Sequence, residues 1–448
     1  MTATRTFVGF GFGPIQSGLF LYEAWLTGSF KRFVVAEVDD QLVKAVRENH
    51  GRYHVNIARK DRIDQVTVEG VELYNPRDSA GRSAIIAAIA EADEMATCLP
   101  SVAFFDSGNE SSVAEMLTEG LKERLRTGSQ QLTEAARATV IYAAENHNHA
   151  AEILLEKVQQ KWVGSADSKI NGLGHIQFLN TVIGKMSGVI TERADIVRYN
   201  LATVTPTTPR AVLVEEFNCI LISRIALPNF ERGIRVFIEK DDLLPFEEAK
   251  LYGHNAIHAL IGYLAEQKHL PNMAEAGNDP KIMQIARRAF IEESGAALIK
   301  RHAALGDPLF TPEGYRAYAE DLLDRMIRPN LNDLISRVCR DPIRKLGYDD
   351  RLFGTMRLAL KYGIEPSNLA FGSAAAVLYL VANPPPSGPQ ATDAAKALHL
   401  PRSGEELSEQ NVRELLFSIW QGQSGPESAD LCRLTWTGIK MLRDWLRN

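Results

Sequence analysis

The sequence predicts an α/β protein in which a doubly wound parallel sheet is followed by a mostly α-helical C-terminal domain. Two observations support this fold class. Short runs of β-forming residues alternate with amphipathic helical segments over the first half of the chain, which is typical of parallel sheets. From about Leu243 onward, long segments of helical periodicity dominate and alternating strand patterns become rare.

Length and composition fit two or three globular domains. The chain has 448 residues, of which 45% are hydrophobic and 24% charged. Its net charge of −6 does not indicate a nucleic-acid-binding or membrane-binding surface. No membrane-spanning apolar run or secretion signal is apparent, and the four widely spaced cysteines form no disulfide framework. We therefore expect a cytoplasmic monomer or small homo-oligomer that binds neither nucleic acid nor membranes.

The first elements form a β-α-β unit. The predicted order is a strand at 6–9, a glycine turn at 9–13, a helix at 14–26 and a strand at 32–36. Pro14 suits the first helical turn, because the N–H that it lacks would have no intrahelical partner there.

The remaining elements continue this alternation and then become helical. Further strands are predicted at 53–57, 66–73, 95–99 and 138–143, with helices at 83–92 and 113–125. In the second half, helices are predicted at 244–266, 280–302, 313–326, 349–361, 367–381, 408–421 and 428–446, with a proline-rich loop near 383–403. We assign residues 1–240 to the first domain and 241–448 to the second.

The glycine turn is a candidate dinucleotide-binding loop of a Rossmann-type domain with NAD as cofactor. Gly11 and Gly13 would let the backbone approach a phosphate, and the helix that begins with Pro14 and Ile15 would present its N-terminal amides. Glu37 ends the next strand, where a carboxylate binds the ribose hydroxyls of NAD and repels the 2′-phosphate of NADP. The alternative is a plain glycine-rich loop, since Gln16 replaces the third glycine of the fingerprint.

A polar stripe at the start of a predicted helix is the second candidate site. At 100° per residue, Lys250, His254 and His258 share one stripe, and Asn255 lies within about 140° of Lys250. A lysine can act as a base if burial lowers its pKa, and an amide can donate to a developing alkoxide. One alternative is a solvated helix face. Another is a metal site, although Asn255 stands where the zinc-protease pattern needs a glutamate.

The pattern Lys-x4-Asn-x2-His over 250–258 resembles the catalytic signature of the polyol-specific long-chain dehydrogenases, the mannitol dehydrogenase family. Other motifs agree in their order along the chain: Ala144–Asn146, Val214–Phe217, Ile291–Arg301, Arg340–Leu346 and Asp350–Leu352. The last three resemble the mannitol-1-phosphate branch of the family. The resemblance extends from about residue 6 to about residue 380.

This resemblance implies hydride transfer between NAD and a secondary alcohol or ketose, without a metal. By motif match, Lys250 is the general acid/base, and Asn146 and Asn255 form the oxyanion hole. His258 orients the substrate, Glu247 tunes Lys250 or relays its proton, and Asn146 also contacts the cofactor. Within the family, the substrate pair expected is mannitol 1-phosphate and fructose 6-phosphate.

The residues expected to contact the substrate include several departures from the family pattern. These candidate residues are Asn180, Lys185, His254, Arg344 and Lys345. Gly184 replaces an aspartate expected to touch substrate hydroxyls, Lys185 replaces an arginine, and His254 stands where the sugar-phosphate branch has an apolar residue. Two alternatives therefore stay open: the same chemistry on a non-phosphorylated ketose or hexuronate, and a non-catalytic nucleotide- or sugar-binding relative.

Overall fold

The computed structural model describes residues 5–128, 138–163, 174–216, 220–385, 393–400, 407–423 and 425–447. Phe217, Cys219 and much of the proline-rich loop lie outside the described residues. The chain divides into two compact units, Met1–Leu244 and Pro245–Asn448.

All named strands belong to the first unit. They are β1 (Arg5–Phe10), β2 (Phe30–Ala36), β3 (Tyr53–Ala58), β4 (Ile63–Val68), β5 (Val71–Tyr74), β6 (Glu94–Thr97), β7 (Thr139–Ala143), β8 (Ile176–Val182), β9 (Ser187–Ile190), β10 (Ala211–Glu215), β11 (Ile220–Ser223) and β12 (Phe237–Lys240).

The helices occur in both units. Those of the first unit are α1 (Tyr22–Thr27), α2 (Asp40–Glu48), α3 (Ser79–Glu91), α4 (Val113–Gly128), α5 (Ala150–Val163) and α6 (Arg193–Arg198). From the unit boundary onward they are α7 (Leu244–Glu248), α8 (Ala256–Gln267), α9 (Met273–Gly277), α10 (Pro280–Arg288), α11 (Ala296–His302), α12 (Pro312–Met326), α13 (Ile335–Val338), α14 (Pro342–Lys345), α15 (Phe353–Lys361), α16 (Ser367–Ala382), α17 (Asp393–Lys396), α18 (Glu409–Trp420) and α19 (Ser428–Arg447).

Of the two sheets formed by the described residues, the larger confirms the predicted Rossmann-type doubly wound topology. Its strand order is β12-β11-β8-β7-β6-β1-β2-β5, and every neighbouring pair from β5 to β8 is parallel. The order reverses between β1 and β6, and sheets of this kind bind ligands at that switch point. Beyond β8, the strands β11 and β12 extend the sheet but depart from the parallel pattern, because β11 pairs antiparallel with β8.

Successive side chains of β1 enter two different cores. Phe7 belongs to the hydrophobic cluster on one face of the sheet, whereas Val8 and Phe10 belong to the cluster on the other face. Since both faces are covered, consecutive positions of the central strands are apolar, and this is the pattern that predicted them.

The prediction of a single strand over 66–73 is wrong. Glu69 and Gly70 separate two strands, and Gly70 has a positive φ of 78°. As a result, β4 pairs antiparallel with β3 in the smaller sheet, whose order is β4-β3-β10-β9. The second strand, β5, pairs parallel with β2 at the edge of the larger sheet.

The described part of the second unit is helical, as predicted. The segments 244–267 and 280–302 are continuous helices, but each contains a π-helical turn, at Ala249–Asn255 and Ala289–Gly295. The predicted helix at 349–361 begins later, at Phe353. No helix among the described residues combines the length and apolar character needed to cross a membrane.

The C-terminal segment completes the core of the second unit. The buried helix α16 packs against α8 and α19. The approach of α19 is close, because a Cβ added to Gly438 would lie 2.8 Å from the Ala370 carbonyl oxygen. Trp420 is buried, and its indole N–H donates to the Leu346 carbonyl at 3.0 Å. Residues beyond the end of the family resemblance, near residue 380, therefore stabilise this unit.

Candidate active site

The glycine turn lies at the switch point, directly after β1. Gly11 has a φ of +81°, and its N–H donates to the Ala36 carbonyl at 2.8 Å. A Cβ added here would lie 2.9 Å from the Cys98 carbonyl oxygen, so a side chain would be strained and would meet backbone. In contrast, a Cβ added to Gly13 would have no heavy atom within 4 Å.

Gln16, which replaces the third fingerprint glycine, is accommodated by Gly9 on β1. Gln16 is fully buried, and a Cβ added to Gly9 would lie 2.5 Å from its Nε2. Neither Nε2 nor Oε1 has a hydrogen-bond partner among the described residues. The close approach of helix and strand is thus preserved by a glycine on the strand instead of on the helix.

The helix after the glycine turn contains a π-helical stretch, Gln16–Leu21. Hydrogen bonding of this type shifts the backbone register and leaves a carbonyl in need of another partner. The Ser17 carbonyl accepts a hydrogen bond from the buried hydroxyl of Tyr53 at 2.7 Å. Tyr53 lies on β3, so the smaller sheet supports this helix.

Glu37 follows β2 and is fixed beside the glycine turn. Its Oε2 accepts from the Phe12 N–H at 2.7 Å, and its Oε1 accepts from the Asp39 N–H at 2.9 Å. A cleft of about 140 Å³ lies here, lined in part by Gly13, Glu37 and Arg210. Arg210 pairs with Asp39 at 3.0 Å. The carboxylate is therefore oriented by backbone before any ligand binds.

Asn146 lies in the exposed loop after β7, at the same edge of the sheet. The preceding residue, Glu145, is buried, and its carboxylate accepts from the Leu99 N–H at 2.8 Å and from the Thr97 hydroxyl at 2.9 Å. Burial raises the pKa of the Glu145 carboxyl, although these hydrogen bonds act in the opposite direction. Glu145 thereby ties the end of β7 to the end of β6 and positions the loop of Asn146.

Two predicted substrate residues of this unit make contacts within the fold. The Asn180 amide accepts from the Ala151 N–H and donates to the Glu152 carboxylate, both at 2.8 Å. Lys185 has 8% of its side chain exposed, and its ammonium lies 3.8 Å from the Glu215 carboxylate. These contacts favour structural roles for Asn180 and Lys185.

In the second unit, the predicted polar stripe lies on a helix that spans residues 244–267 and is called the lysine helix below. The π-helical turn of this helix carries Lys250. Its Tyr252 carbonyl accepts from the Ser294 hydroxyl at 2.8 Å and from the Thr355 hydroxyl at 3.2 Å. Because Ser294 belongs to the second π-helical turn, the two widened turns support each other.

Lys250 has an unusual electrostatic environment. Burial lowers the pKa of its ammonium to about 8, with the charge of Glu247 opposing this shift and that of Arg351 adding to it. A lysine with this pKa exchanges a proton near neutral pH, whereas an ordinary lysine does not. Arg351 is buried, hydrogen-bonds to Asp350 at 2.8 Å and was not among the predicted site residues. Asn255 ends the same turn and is half-buried.

His254 is buried on the lysine helix. Its ring packs edge-on against His258, with the ring centroids 6.3 Å apart. Burial lowers the pKa of His254 well below its ordinary value, and the charges of Arg325, Lys250 and Arg351 act in the same direction. The imidazole is therefore neutral at pH 7. Its Nδ1 has no hydrogen-bond partner among the described residues.

His258 forms a pair with Asp333. Its Nε2 lies 2.6 Å from Asp333 Oδ2, and Arg337 donates to Oδ1 at 2.9 and 2.6 Å. Burial acts to raise the pKa of the Asp333 carboxyl, but His258 and Arg337 outweigh it and lower that pKa below its ordinary value. Sequence reasoning missed Asp333, because no local spacing connects it to His258.

Arg344 and Lys345, both predicted to contact the substrate, differ in exposure. Arg344 is half exposed and lies 3.6 Å from the Asp341 carboxylate and 3.8 Å from that of Asp350. Lys345 is buried, and its ammonium donates to the Val338 carbonyl. Burial lowers the pKa of Lys345 to about 8. This geometry favours a structural role for Lys345 and keeps Arg344 as the candidate of the pair.

The metal alternative finds no support in the described part of the chain. There, no group of three or more histidine, cysteine, aspartate or glutamate side chains is placed to hold a metal ion. The thiols of Cys98, Cys339 and Cys432 are free, and burial raises the pKa of each.

Comparison with known proteins relates both units to one family. A family model, the mannitol dehydrogenase C-terminal domain, matches residues 242–416. The mannitol-1-phosphate 5-dehydrogenase of Bacillus licheniformis is 30% identical over 377 residues, which cover 84% of this chain and 88% of the relative. The enzyme of the same name from Brevibacillus brevis is 29% identical, and the alignment covers 83% of this chain and 85% of the relative.

Two solved structures share the fold. Pseudomonas fluorescens mannitol 2-dehydrogenase, solved as a ternary complex with NAD and D-mannitol, has a TM-score of 0.69 at 16% identity, covering 99% of this chain and 92% of that one. A substrate-free D-sorbitol dehydrogenase has a TM-score of 0.73 at 15% identity, with 99% and 94% covered. The sequence relationship extends beyond the fold: this chain belongs to the mannitol dehydrogenase family.

Proposed function

We propose that this protein is an NAD-dependent oxidoreductase that interconverts a polyol phosphate and a ketose phosphate, with mannitol 1-phosphate and fructose 6-phosphate as the substrate pair. The observation that carries the proposal is Lys250, whose burial on a π-helical turn lowers its pKa to about 8, on the same helix as Asn255 and His258. The name of the curated relatives supports this substrate pair.

In the oxidation direction, the neutral amine of Lys250 takes the proton of the substrate hydroxyl while a hydride leaves the carbon that bears this hydroxyl. The Asn255 amide donates to the oxygen as negative charge develops on it. His258 orients a substrate hydroxyl. In the reduction direction, the Lys250 ammonium returns the proton to the carbonyl oxygen. Glu247 stabilises that ammonium through its charge, against the effect of desolvation.

The glycine turn fits a dinucleotide. The space beside Gly11 is too small for a Cβ, and the Glu37 carboxylate is oriented for ribose hydroxyls by two backbone amides. When bound, the nicotinamide of NAD accepts or supplies the hydride. The residues assigned to the cofactor are Gly11, Gly13, Pro14, Ile15, Glu37 and Asn146.

Positive charge along the lysine helix supports a phosphorylated substrate. Arg325 and Arg351 are buried, and the charge of each lowers the pKa of His254. Arg344 adds a half-exposed guanidinium. Clustered guanidinium groups suit a phosphate dianion, since each can donate two parallel hydrogen bonds to its oxygens.

One observation favours a second candidate, the same chemistry on a non-phosphorylated ketose or hexuronate. At Gly184, where the family has an aspartate, an added Cβ would have no heavy atom within 4 Å. The fold therefore does not require a glycine there. We infer that the loss of the carboxylate changes the groups that the protein offers to the substrate. The ion pair of Lys185 with Glu215 also favours a non-phosphorylated substrate. Lys185 replaces the family's arginine, and its charge is already balanced by the Glu215 carboxylate.

The test is NADH oxidation, followed by nicotinamide absorbance, with fructose 6-phosphate, fructose and a hexuronate in parallel. Turnover of the phosphate ester alone supports the first proposal, and turnover of fructose or the hexuronate alone supports the second. NADH binding without turnover of any candidate would contradict both and indicate a non-catalytic relative. A chelator should leave the rate unchanged, because no step uses a metal.

A further inference from the structure

We propose that Asp333 is a positioning residue that fixes the imidazole of His258 in one tautomer and one orientation. The inference rests on the substrate-orienting role proposed above for His258. Asp333 lies 75 residues beyond His258 in the sequence and belongs to no motif of the family resemblance. What links the two residues is a contact between the lysine helix and the loop that precedes α13.

The hydrogen bond determines where the imidazole carries its proton. An ionised carboxylate only accepts hydrogen bonds, and Arg337 holds Asp333 in that state through two bonds to Oδ1. His258 Nε2, at 2.6 Å from Oδ2, must therefore carry the hydrogen. In the neutral ring, the lone pair then lies on Nδ1. His258 thus presents an acceptor, which is what orients a substrate hydroxyl.

The carboxylate is rigidly held. The side chain of Asp333 is 1% exposed. Its backbone carbonyl accepts from the Met273 N–H at 2.9 Å, and the neighbouring residue Leu334 forms a β-bridge with Asn272. Because backbone pairing fixes the loop, the position of Asp333 determines that of the imidazole.

A similar pair elsewhere in this unit provides a contrast. Glu248 accepts a hydrogen bond from His302 Nε2 at 2.7 Å. The ring of His302 packs on Phe310, with ring centroids 4.9 Å apart, so that pair serves the hydrophobic core. His258 packs instead against His254, which is a candidate substrate residue. The same hydrogen bond therefore supports packing at one position and aligns a substrate-orienting group at the other.

The tautomer can be measured without any turnover. In protein labelled with ¹⁵N-histidine, two-dimensional NMR distinguishes protonated from unprotonated ring nitrogens, and the signals of His258 are those lost in His258→Gln. At mildly alkaline pH, we expect hydrogen on Nε2 and a lone pair on Nδ1. A hydrogen on Nδ1, alone or together with one on Nε2, would overturn the proposal.

Kinetics separate positioning from a purely structural role. Asp333→Asn keeps the size of the side chain but removes the charge, and we expect kcat/KM for fructose 6-phosphate to fall about 100-fold, as a misplaced group would cause. The Kd of NADH should not change. Asp324→Asn, which removes an exposed partner of Arg328, is the matched control and should leave every constant unchanged.

Two results distinguish the possible failures. If Asp333→Asn lowers the melting temperature but the folded fraction keeps its kcat/KM, Asp333 is only structural and the inference is wrong. If the wild-type protein turns over no candidate substrate, the proposed function fails, while NMR spectra of the wild type and of Asp333→Asn still decide whether Asp333 sets the tautomer.

Discussion

The two candidate sites are built on a similar helix irregularity. Both the helix after the glycine turn and the lysine helix contain a π-helical segment. In each, a side-chain hydroxyl binds a backbone carbonyl of the widened segment: Tyr53 binds Ser17 in the first unit, and Ser294 binds Tyr252 in the second. Similar hydrogen bonds to free backbone carbonyls therefore support two sites with different proposed functions.

The sites differ in what they need from their side chains. At the glycine turn the essential feature is the absence of a side chain, at Gly11 against a carbonyl and at Gly9 against Gln16. On the lysine helix the essential feature is charge, held by Lys250 in a desolvated position. We therefore expect a side chain at Gly11 to reduce stability and function together, and substitutions of the charged groups to separate the two.

The largest effect is expected for Lys250→Met, which removes the charge but keeps much of the volume. Loss of a general acid/base should lower kcat by about 10²–10⁴-fold with NADH affinity unchanged. The melting temperature at pH 7 should rise. The folded pKa lies below the ordinary value, so the ammonium costs stability below about pH 8, and this cost disappears as pH rises toward 10.5.

A pH series and a control complete this test. In the oxidation direction, wild-type kcat/KM should rise about tenfold per pH unit up to the Lys250 pKa of about 8 and then level off, because the neutral amine is the base. In the reduction direction, the rate should fall above that pH. Lys281→Met removes an exposed lysine of the same unit and should change nothing. A wild-type rate that is independent of pH in both the oxidation and the reduction reaction would contradict the assignment of Lys250.

The sequence predicts those parts of the sites that depend on local patterns. Gly11 and Gly13 follow a recognisable strand, Glu37 ends the next one, and the stripe from Lys250 to His258 needs only helical periodicity. The long helices at 280–302 and 367–382 were predictable for the same reason. Their apolar residues recur at one period over many turns, which makes local pattern reliable.

The parts that sequence reasoning missed arise from packing between distant segments. Asp333 and Arg351 reach the lysine helix only through the tertiary fold. Gly9 lies on a strand and Gln16 on a helix, so their close packing is a tertiary contact. Local sequence shows only that Gln16 departs from the glycine fingerprint. The sequence did not predict the π-helical turns, because their residues are ordinary helix formers. The hydroxyl groups that bind their free carbonyls also lie far away in the sequence.

A second prediction compares two glycines of the turn. Gly11→Ala should destabilise the protein by about 1–3 kcal/mol and weaken NADH binding, because the backbone there favours glycine and the Cβ meets the Cys98 carbonyl. Gly13→Ala should leave the melting temperature unchanged and weaken NADH binding alone, because its surroundings are open until a phosphate arrives. Thermal melting and NADH fluorescence titration measure the two effects. Equal melting temperatures for Gly11→Ala and wild type would show that the turn tolerates a side chain at that position.

The smallest effect concerns the coupling of Gly9 and Gln16. Gly9→Ala should destabilise by about 1–3 kcal/mol through overpacking. Gln16→Ala removes a buried amide that has no hydrogen-bond partner among the described residues, which stabilises the protein, but it also leaves a cavity, which destabilises it. The net change in unfolding free energy should therefore be small. In the double variant, the new methyl occupies the vacated space. The four unfolding free energies in urea should therefore give a favourable coupling of about 0.5–3 kcal/mol.

Additive effects in this cycle would mean that Gln16 does not take its position from Gly9. Favourable coupling together with wild-type NADH affinity in the double variant would lead to a different conclusion. A dinucleotide-binding turn needs close contact between its helix and its strand, and either element can provide the space for it. The third glycine of the fingerprint is then one solution to a packing requirement, and Gly9 with Gln16 is another.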